Sequence, residues 1–314
     1  MDNIEIAVVG SINMDLVIKT KTIPKPGETV IGESFYRAPG GKGANQAVTI
    51  SKLGGPSYFI GKVGSDPFGE ELINNLVRER VQVKYLYRDE TTPTGTALII
   101  VDENGENSIV VAPGANMKLE KEDIEKSRDI FSKAKILLTQ LEIPIETVKY
   151  SLELARSFNM LSILNPAPAR NLTQEILSLV DILTPNESEL RTLIGVDLTS
   201  EEEIIQSAKG LLNYGINAVI VTLGAKGAIC VERDSVFQVP AIKVNAVDTT
   251  AAGDAFNGTL ALKLAEGIPL KEAILYANIV AGITVTRKGA QPSIPTREEV
   301  EEYISKERIS LWGR

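Results

Sequence analysis

The chain of 314 residues carries 33 Lys and Arg against 41 Asp and Glu, a formal net charge of −8, and contains no histidine. That balance argues against a nucleic-acid partner, which needs a basic stripe to meet the phosphate backbone. The missing imidazole removes Ser-His-Asp and Cys-His catalysis and every metal site built on histidine. Acid–base work must fall to Asp, Glu, Lys or Tyr, while a small anion such as ATP stays compatible because backbone dipoles hold phosphate locally. The one cysteine, Cys230, allows no internal disulfide and suits a reducing compartment. Its neighbours Ile229 and Val231 place it as a small buried hydrophobe. The acidic opening Met1–Glu5 lacks the basic flank and apolar core of a signal peptide. The longest apolar stretch, Ile274–Val285, is interrupted by Asn278 and suits a buried helix, since spanning a bilayer takes roughly 20 residues. A cytoplasmic protein with no membrane partner is the expectation.

In chain order, β-rich runs alternate with amphipathic helical ones, the pattern of βαβ units around a mostly parallel sheet. Strands are expected at Ile4–Val9, Ser57–Val63, Ile136–Gln140, Leu161–Asn165, Ile182–Thr184 and Ala218–Leu223. Helices are expected at Gly41–Leu53, Pro67–Glu79, Ile145–Phe158, Asn186–Ile194 and Ser200–Tyr214, the last opening on a capping box from Ser200 to Glu203. Two long helices, Gly253–Glu266 and Leu270–Thr286, and a short one from Thr296 complete the chain. Two segments break the rhythm, Asn13–Arg37 and Thr94–Ala112, each an antiparallel strand pair without a helix. The turn Asp102–Gly105 closes the second as a hairpin. These pairs are expected to form one small sheet inserted into a single α/β domain spanning 1–314, covering a cleft as a lid.

The strongest chemical signal is Asp248–Asp254, read DTTAAGD. Ala251, Ala252 and Gly253 are small residues at a helix start, where free N–H groups and the helix dipole make a pocket for phosphate charge. Asp254, on the first turn, is placed to take a proton from an attacking hydroxyl. The glycine-rich turn at 40–47 (GGKGANQA) matches neither the dinucleotide fingerprint nor a Walker A sequence, and presents Lys42 and Asn45 to a polyol. Asn13 and Asp15 follow the first strand at its carboxyl end, a sugar-binding pair or an Asx-turn. Asn186 and Glu189, three apart, suit water-mediated magnesium or a plain capping box. Thr222–Gly227 is a strand followed by a glycine turn, a nucleotide cradle or hairpin punctuation.

Together these stretches resemble the PfkB, or ribokinase-like, carbohydrate kinases over nearly the whole chain. The resemblance rests on GSINMD at 10–15, GGKGANQA at 40–47 with Gly54 and Gly64, NPAPAR at 165–170, TPNESE at 184–189, DTTAAGD at 248–254 and VTRKGAQPSIP at 285–295. It implies a three-layer α/β/α sandwich with a mostly parallel central sheet and a small β-sheet lid, and transfer of phosphate from ATP to the 5-hydroxyl of D-ribose. Fructose, 2-keto-3-deoxygluconate or a nucleoside is the alternative acceptor. A non-catalytic sugar binder is disfavoured by the intact Asp254 turn, and an NAD-linked dehydrogenase by the missing GxGxxG. The resemblance further implies Asp254 as base, with Ala251, Ala252 and Gly253 as anion hole. Asn13, Met14, Asp15, Gly41, Lys42, Gly43, Ala44, Asn45 and Glu142 would meet the sugar. Asn186, Thr222, Leu223, Gly224, Ala225, Lys226, Gly227, Gly253 and Asn278 would line the ATP site. Glu189 would organise Mg2+ through water, and Asp248, Thr250, Thr284, Arg287, Gly289 and Ser293 would hold K+. A homodimer through the lids is expected as well, because a lone small sheet leaves apolar surface and edges to cover.

Overall fold

In a computed structural model the described residues are 5–307 and 309. Ile4 and the rest of the acidic opening before Glu5 lie outside them. Strands run β1 (Ile6–Val9), β2 (Asn13–Lys19), β3 (Ser34–Gly40), β4 (Ser57–Gly64), β5 (Gln82–Asp89), β6 (Gly95–Val101) and β7 (Asn107–Ala112). They continue as β8 (Ile136–Thr139), β9 (Leu161–Leu164), β10 (Ile182–Leu183), β11 (Ala218–Thr222), β12 (Ala228–Glu232) and β13 (Val236–Val239). Helices are α1 (Lys42–Lys52), α2 (Pro67–Arg78), α3 (Lys121–Lys126), α4 (Arg128–Phe131), α5 (Ile145–Ser157) and α6 (Gln174–Leu177). Then follow α7 (Glu187–Ile194), α8 (Glu201–Leu212), α9 (Ala252–Ala265), α10 (Leu270–Thr284) and α11 (Arg297–Lys306).

Among the described residues nine strands form the large sheet, in the order β13-β12-β11-β10-β9-β8-β1-β4-β5. It is parallel from β11 through β5, while β12 and β13 add an antiparallel edge. The edge at β12 and β13 was not foreseen, since five- and four-residue runs carry too little periodicity to separate from turns. The buried strands are near-continuous Ile, Val and Leu, as expected when helices cover both faces. One core cluster gathers α1, α9 and α10 on one face, with Phe59, Leu260 and Ile279 fully buried. The other gathers α5 and α8, with Phe131, Leu152 and Ala208. The long apolar helix α10 is therefore core, and no helix among the described residues is long and apolar enough to cross a membrane.

The second sheet has four strands in the order β3-β2-β6-β7. Both expected pairs are antiparallel, but β2 and β6 meet in parallel, and β3 runs on to Gly40 rather than ending at Arg37. The register puts Asp15 beside Ala38 and Ala97, and Asn13 beside Gly40 and Gly95. The small sheet thus grows out of the carboxyl end of β1 and leads directly into α1.

Candidate active site

The predicted site residues converge on the carboxyl edge of the large sheet, where β1, β8, β9 and β10 end and where open α/β sheets place their ligands. Helix α1 begins there because Gly41 takes φ 90°, a conformation costly for any other residue. Its first turn lies directly on the backbone after β1: a Cβ at Gly43 would sit 2.8 Å from the Gly10 and Ser11 main chain. Ala44 N–H donates to the Ser11 carbonyl at 2.9 Å. Helix α9 approaches α1 as closely, since a Cβ at Gly258 would meet the Gln46 carbonyl at 2.7 Å. These contacts bring Asn45 and Gln46 onto Asp254.

Asp254 is buried on the first turn of α9. Its two carboxylate oxygens each accept an amide, from Asn45 Nδ2 at 2.8 Å and Gln46 Nε2 at 3.3 Å. Burial pushes its carboxyl up, with Glu142 adding to the rise, while Lys42 and the two amides oppose it. The turn before it is unusual. Ala251 adopts φ 61°, left-handed backbone that a non-glycine residue seldom takes and that clusters at functional turns. Ala252 N–H reaches the Thr249 carbonyl at 3.3 Å and Ala255 N–H closes on Ala251. The amides of Gly253 and Asp254 have no acceptor among the described residues. The Ala251 amide likewise has none, so of the expected Ala251–Gly253 set only Ala252 is engaged, and the Asp254 amide adds a free donor beyond it. A Cβ built at Gly253 meets nothing within 4 Å, so chain packing does not demand glycine there.

Facing this turn is a group of charges. Burial, then Glu142 and Asp254, push the Asp15 carboxyl up to about 7. Burial alone would lower the Lys42 ammonium, but Asp254, Glu142 and Glu189 outweigh it and raise its pKa. Glu142, just past β8, accepts from Ser11 Oγ at 2.5 Å and Lys42 N–H at 3.3 Å. Asn13 Oδ1 accepts from Asn116 Nδ2 at 2.7 Å, and Asn116 is itself pinned to the Ile12 main chain at 2.9 and 3.1 Å. Asn116 fixes Asn13 from a residue about a hundred positions away, and no sequence pattern pointed to it. Met14 and Ala44 are fully buried and serve packing around the site.

The expected nucleotide residues gather alongside. Asn186 and Thr222 form a bridge between the ends of β10 and β11, with Thr222 N–H donating to the Pro185 carbonyl at 3.0 Å. Leu223–Gly227 is the connection of the β11–β12 hairpin, closed by Leu223 N–H on the Gly227 carbonyl at 2.7 Å. Gly224, Ala225 and Lys226 at its tip are exposed. Asn278 commits its amide nitrogen to the Val239 and Pro240 carbonyls at 2.9 and 3.2 Å, tying α10 to the end of β13. Asn186 and Glu189 form a complete capping box at 2.8 Å each way, so capping is their observed role. One Glu189 oxygen is thereby taken and the other stays available, a donor set that fits a hydrated metal rather than direct ligation. Burial raises the Glu189 carboxyl, against the Asn186 N–H and Lys42.

Asp248 joins two loops. One oxygen accepts Thr250 N–H and O–H at 2.9 and 2.6 Å, and the other accepts Gly289 N–H at 2.9 Å. Burial would raise its carboxyl, but these donors hold it below the ordinary value. Thr284 Oγ1 donates to the Val280 carbonyl, Ser293 Oγ to the Ala290 carbonyl, and Arg287 pairs with Glu299. With these side chains engaged, a monovalent cation here would be met by main-chain oxygens. Among the described residues no group of three or more acidic or cysteine side chains is arranged to hold a metal ion. Cys230 lies buried in β12, which pushes its thiol up to about 12.

Residues 3–297 match the family described as pfkB family carbohydrate kinase. The chain belongs to that family and is an ATP-dependent sugar kinase. It is 41% identical to a ribokinase of Haemophilus influenzae, covering 95% of this chain and 98% of that one. It is 39% identical to a deoxyribokinase of Salmonella typhi, over 96% and 99%. Its fold matches the structure of Arabidopsis thaliana ribokinase complexed with ribose and ATP at a TM-score of 0.88, with 32% identity over 96% of this chain and 98% of that one.

The Asp15 carboxyl gives a stability test. Below about pH 4 it is protonated in both folded and unfolded chains and contributes nothing. As pH rises toward 7 the unfolded chain releases a proton that the folded chain keeps, so stability falls and then levels off. Asp15→Asn removes that loss. Its melting temperature is expected to exceed the wild type's at pH 8, with the gain vanishing by pH 4; a gain independent of pH refutes the raised carboxyl.

Proposed function

We propose that the chain transfers the γ-phosphoryl group of ATP to the 5-hydroxyl of D-ribose, giving ribose 5-phosphate and ADP. The observation that carries this reading is Asp254. It is a buried carboxylate held by two amides, one turn into a helix whose Gly253 and Asp254 N–H groups are free and whose Gly253 opens onto empty space. The ribose and ATP named for the Arabidopsis relative support the choice of substrates. The deoxyribokinase relative makes 2-deoxyribose the second candidate.

In this reading Asp15, Asn13, Lys42, Asn45 and Glu142 hold the sugar hydroxyls, with the Gly41–Ala44 turn beneath them. Asp15 must be ionised to accept two hydroxyls, so sugar affinity falls as pH drops below about 7. Asp254 receives the proton of the attacking hydroxyl as phosphoryl transfer proceeds. The free amides at Gly253 and Asp254 face the developing charge, in a place where no water competes once the small sheet has closed as a lid. Asn186, Thr222–Gly227 and Asn278 border the nucleotide. Glu189 would help hold hydrated magnesium through its free oxygen, and the ion would supply charge neutralisation at the phosphates. The loops carrying Asp248, Thr250, Thr284, Arg287, Gly289 and Ser293 would hold potassium, which would supply positive charge beside the α9 turn.

A coupled ADP-release assay with D-ribose and 2-deoxyribose tests the assignment, run with magnesium omitted and with potassium exchanged for tetramethylammonium. Turnover of ribose that depends on both ions is expected; a preference for deoxyribose, or indifference to either ion, overturns the corresponding part. Asp254→Asn should lower kcat by about 10²–10⁴ with sugar and ATP still bound, and near wild-type turnover removes Asp254 as base. Gly253→Ala should leave stability unchanged or raised by at most about 1 kcal/mol, as alanine does in a helix. Its kcat should nevertheless collapse, because the methyl fills the phosphate's space; unimpaired turnover would place the phosphate elsewhere.

We further infer a homodimer joined through the small sheets, in a cytoplasmic enzyme. Both faces of that sheet expose large apolar side chains, Phe35 at 60%, Val110 at 65% and Leu98 at 52% on one and Ile109 at 51% on the other. Its outer strands β3 and β7 have unpaired edges. A second copy would bury both, and two-fold pairing is the commonest closed arrangement. Sedimentation equilibrium at micromolar concentration should give twice the chain mass, and a single-chain mass that persists with sugar and nucleotide bound rules the dimer out.

A further inference from the structure

Two glutamines outside the expected site residues converge on Asp254 from opposite sides. On one side Gln46 Nε2 donates to Asp254 Oδ1 at 3.3 Å and to Asn165 Oδ1 at 3.2 Å. Gln46 cannot turn its amide over, because its Oε1 accepts Gln140 Nε2 at 2.5 Å and Asn165 Nδ2 is spent on the Thr184 carbonyl at 3.2 Å. On the other side Asn45 Nδ2 donates to Asp254 Oδ2, while Asn45 Oδ1 accepts Gln291 Nε2 at 3.2 Å. Gln291 Oε1 in turn accepts Asn75 Nδ2 at 2.6 Å. Gln46, Gln140 and Gln291 are all buried. The segment carrying Gln291 is clamped from behind, since Lys52 Nζ donates to the Gln291 and Ile294 carbonyls at 2.8 and 3.1 Å.

Along Gln140–Gln46 and along Asn75–Gln291–Asn45 each amide therefore points an N–H toward Asp254 and its oxygen away, while Asn165 is a side branch that accepts from Gln46 and donates to Thr184. Each link polarises the next, and a carboxylate meeting two such donors has both its plane and its negative charge favoured. We propose that Gln46 and Gln291 are positioning residues for the reaction, holding Asp254 ionised and oriented as the proton acceptor through two one-directional amide chains. The inference rests on the reading of Asp254 as base.

The chains work against a crowded field. Lys42 on α1 favours the charged form, and Glu142 after β8, Asp15 on β2 and Glu189 on α7 are the acidic groups gathered around the same site. Burial, the largest effect, favours protonation. Removing a donor should therefore let the proton return at a higher pH.

The test uses the full-length enzyme with ribose and ATP and compares Gln46→Met, Gln291→Met and Gln291→Glu, all close in size to glutamine. Gln46→Met is expected to move the acid limb of the kcat profile up by about one pH unit and to lower kcat about tenfold, with both KM values within about twofold. Gln291→Met should move the limb in the same direction by less, and Gln291→Glu, which keeps the Asn75 acceptor but offers Asn45 no donor, should move it at least as far as the methionine. If Gln46→Met fails to fold, the two Gln291 variants decide alone. An acid limb unmoved in every folded variant, or losses confined to KM, overturns the proposal. Asp254→Asn is measured beside them: if it keeps turnover the base assignment has failed, whereas an inactive Asp254→Asn with unmoved glutamine variants sinks the amide chains only.

Discussion

The arrangement depends on one steric constraint, the close approach of two helices to the end of β1. Helix α1 can lie on the Gly10–Ser11 backbone only because residue 43 has no side chain, and α9 can lie on α1 only because residue 258 has none. From that contact Asn45 and Gln46, adjacent on α1, reach both oxygens of a carboxylate more than two hundred residues later. A methyl group at either glycine would push the donors outward by more than a hydrogen bond tolerates. The site's chemistry is thus a consequence of backbone packing as much as of side-chain identity.

The glycines at the site divide by what limits them. Gly41 and Gly43 answer to the chain itself, through a left-handed φ or a backbone within reach, and would be needed in a protein with no ligand. Gly253 answers to nothing in the chain. Under the proposed function its residue type answers to the phosphate that approaches from outside, and it is the place beside Asp254 that distinguishes it from other glycines with open surroundings. Ala251 adds the complementary sign, a strained backbone where an ordinary helix start needs none.

The charge pattern shows how a protein of net −8 can receive a polyanion. Asp254, Glu142 and Glu189 surround one lysine with Asp15 close to the first two, and burial raises the Asp15, Glu189 and Asp254 carboxyls while the lysine remains charged. In the proposed reading, backbone N–H groups at the α9 turn supply the local positive potential that the net charge lacks. Stability is sacrificed at this spot, since carboxylates that share a buried pocket repel each other in the empty protein.

Periodicity and turn chemistry determined the order of most strands and helices, because a buried parallel strand and an amphipathic helix each carry their own signature within a dozen residues. The capping boxes at Asn186 and Ser200 were legible for the same reason, being local hydrogen bonds between residues three apart. The motif residues around Gly41, Asp248 and Asp254 could be named, and the small sheet foreseen, from sequence alone. What the sequence did not decide was how those segments meet. The parallel joint between β2 and β6, the antiparallel edge at β12 and β13, the tie from Asn116 to Asn13, and the amide chains through Gln46, Gln140 and Gln291 all join residues far apart in the chain. Glutamine and asparagine leave no periodic trace, and which way an amide points is set by partners that only the packed structure brings within reach.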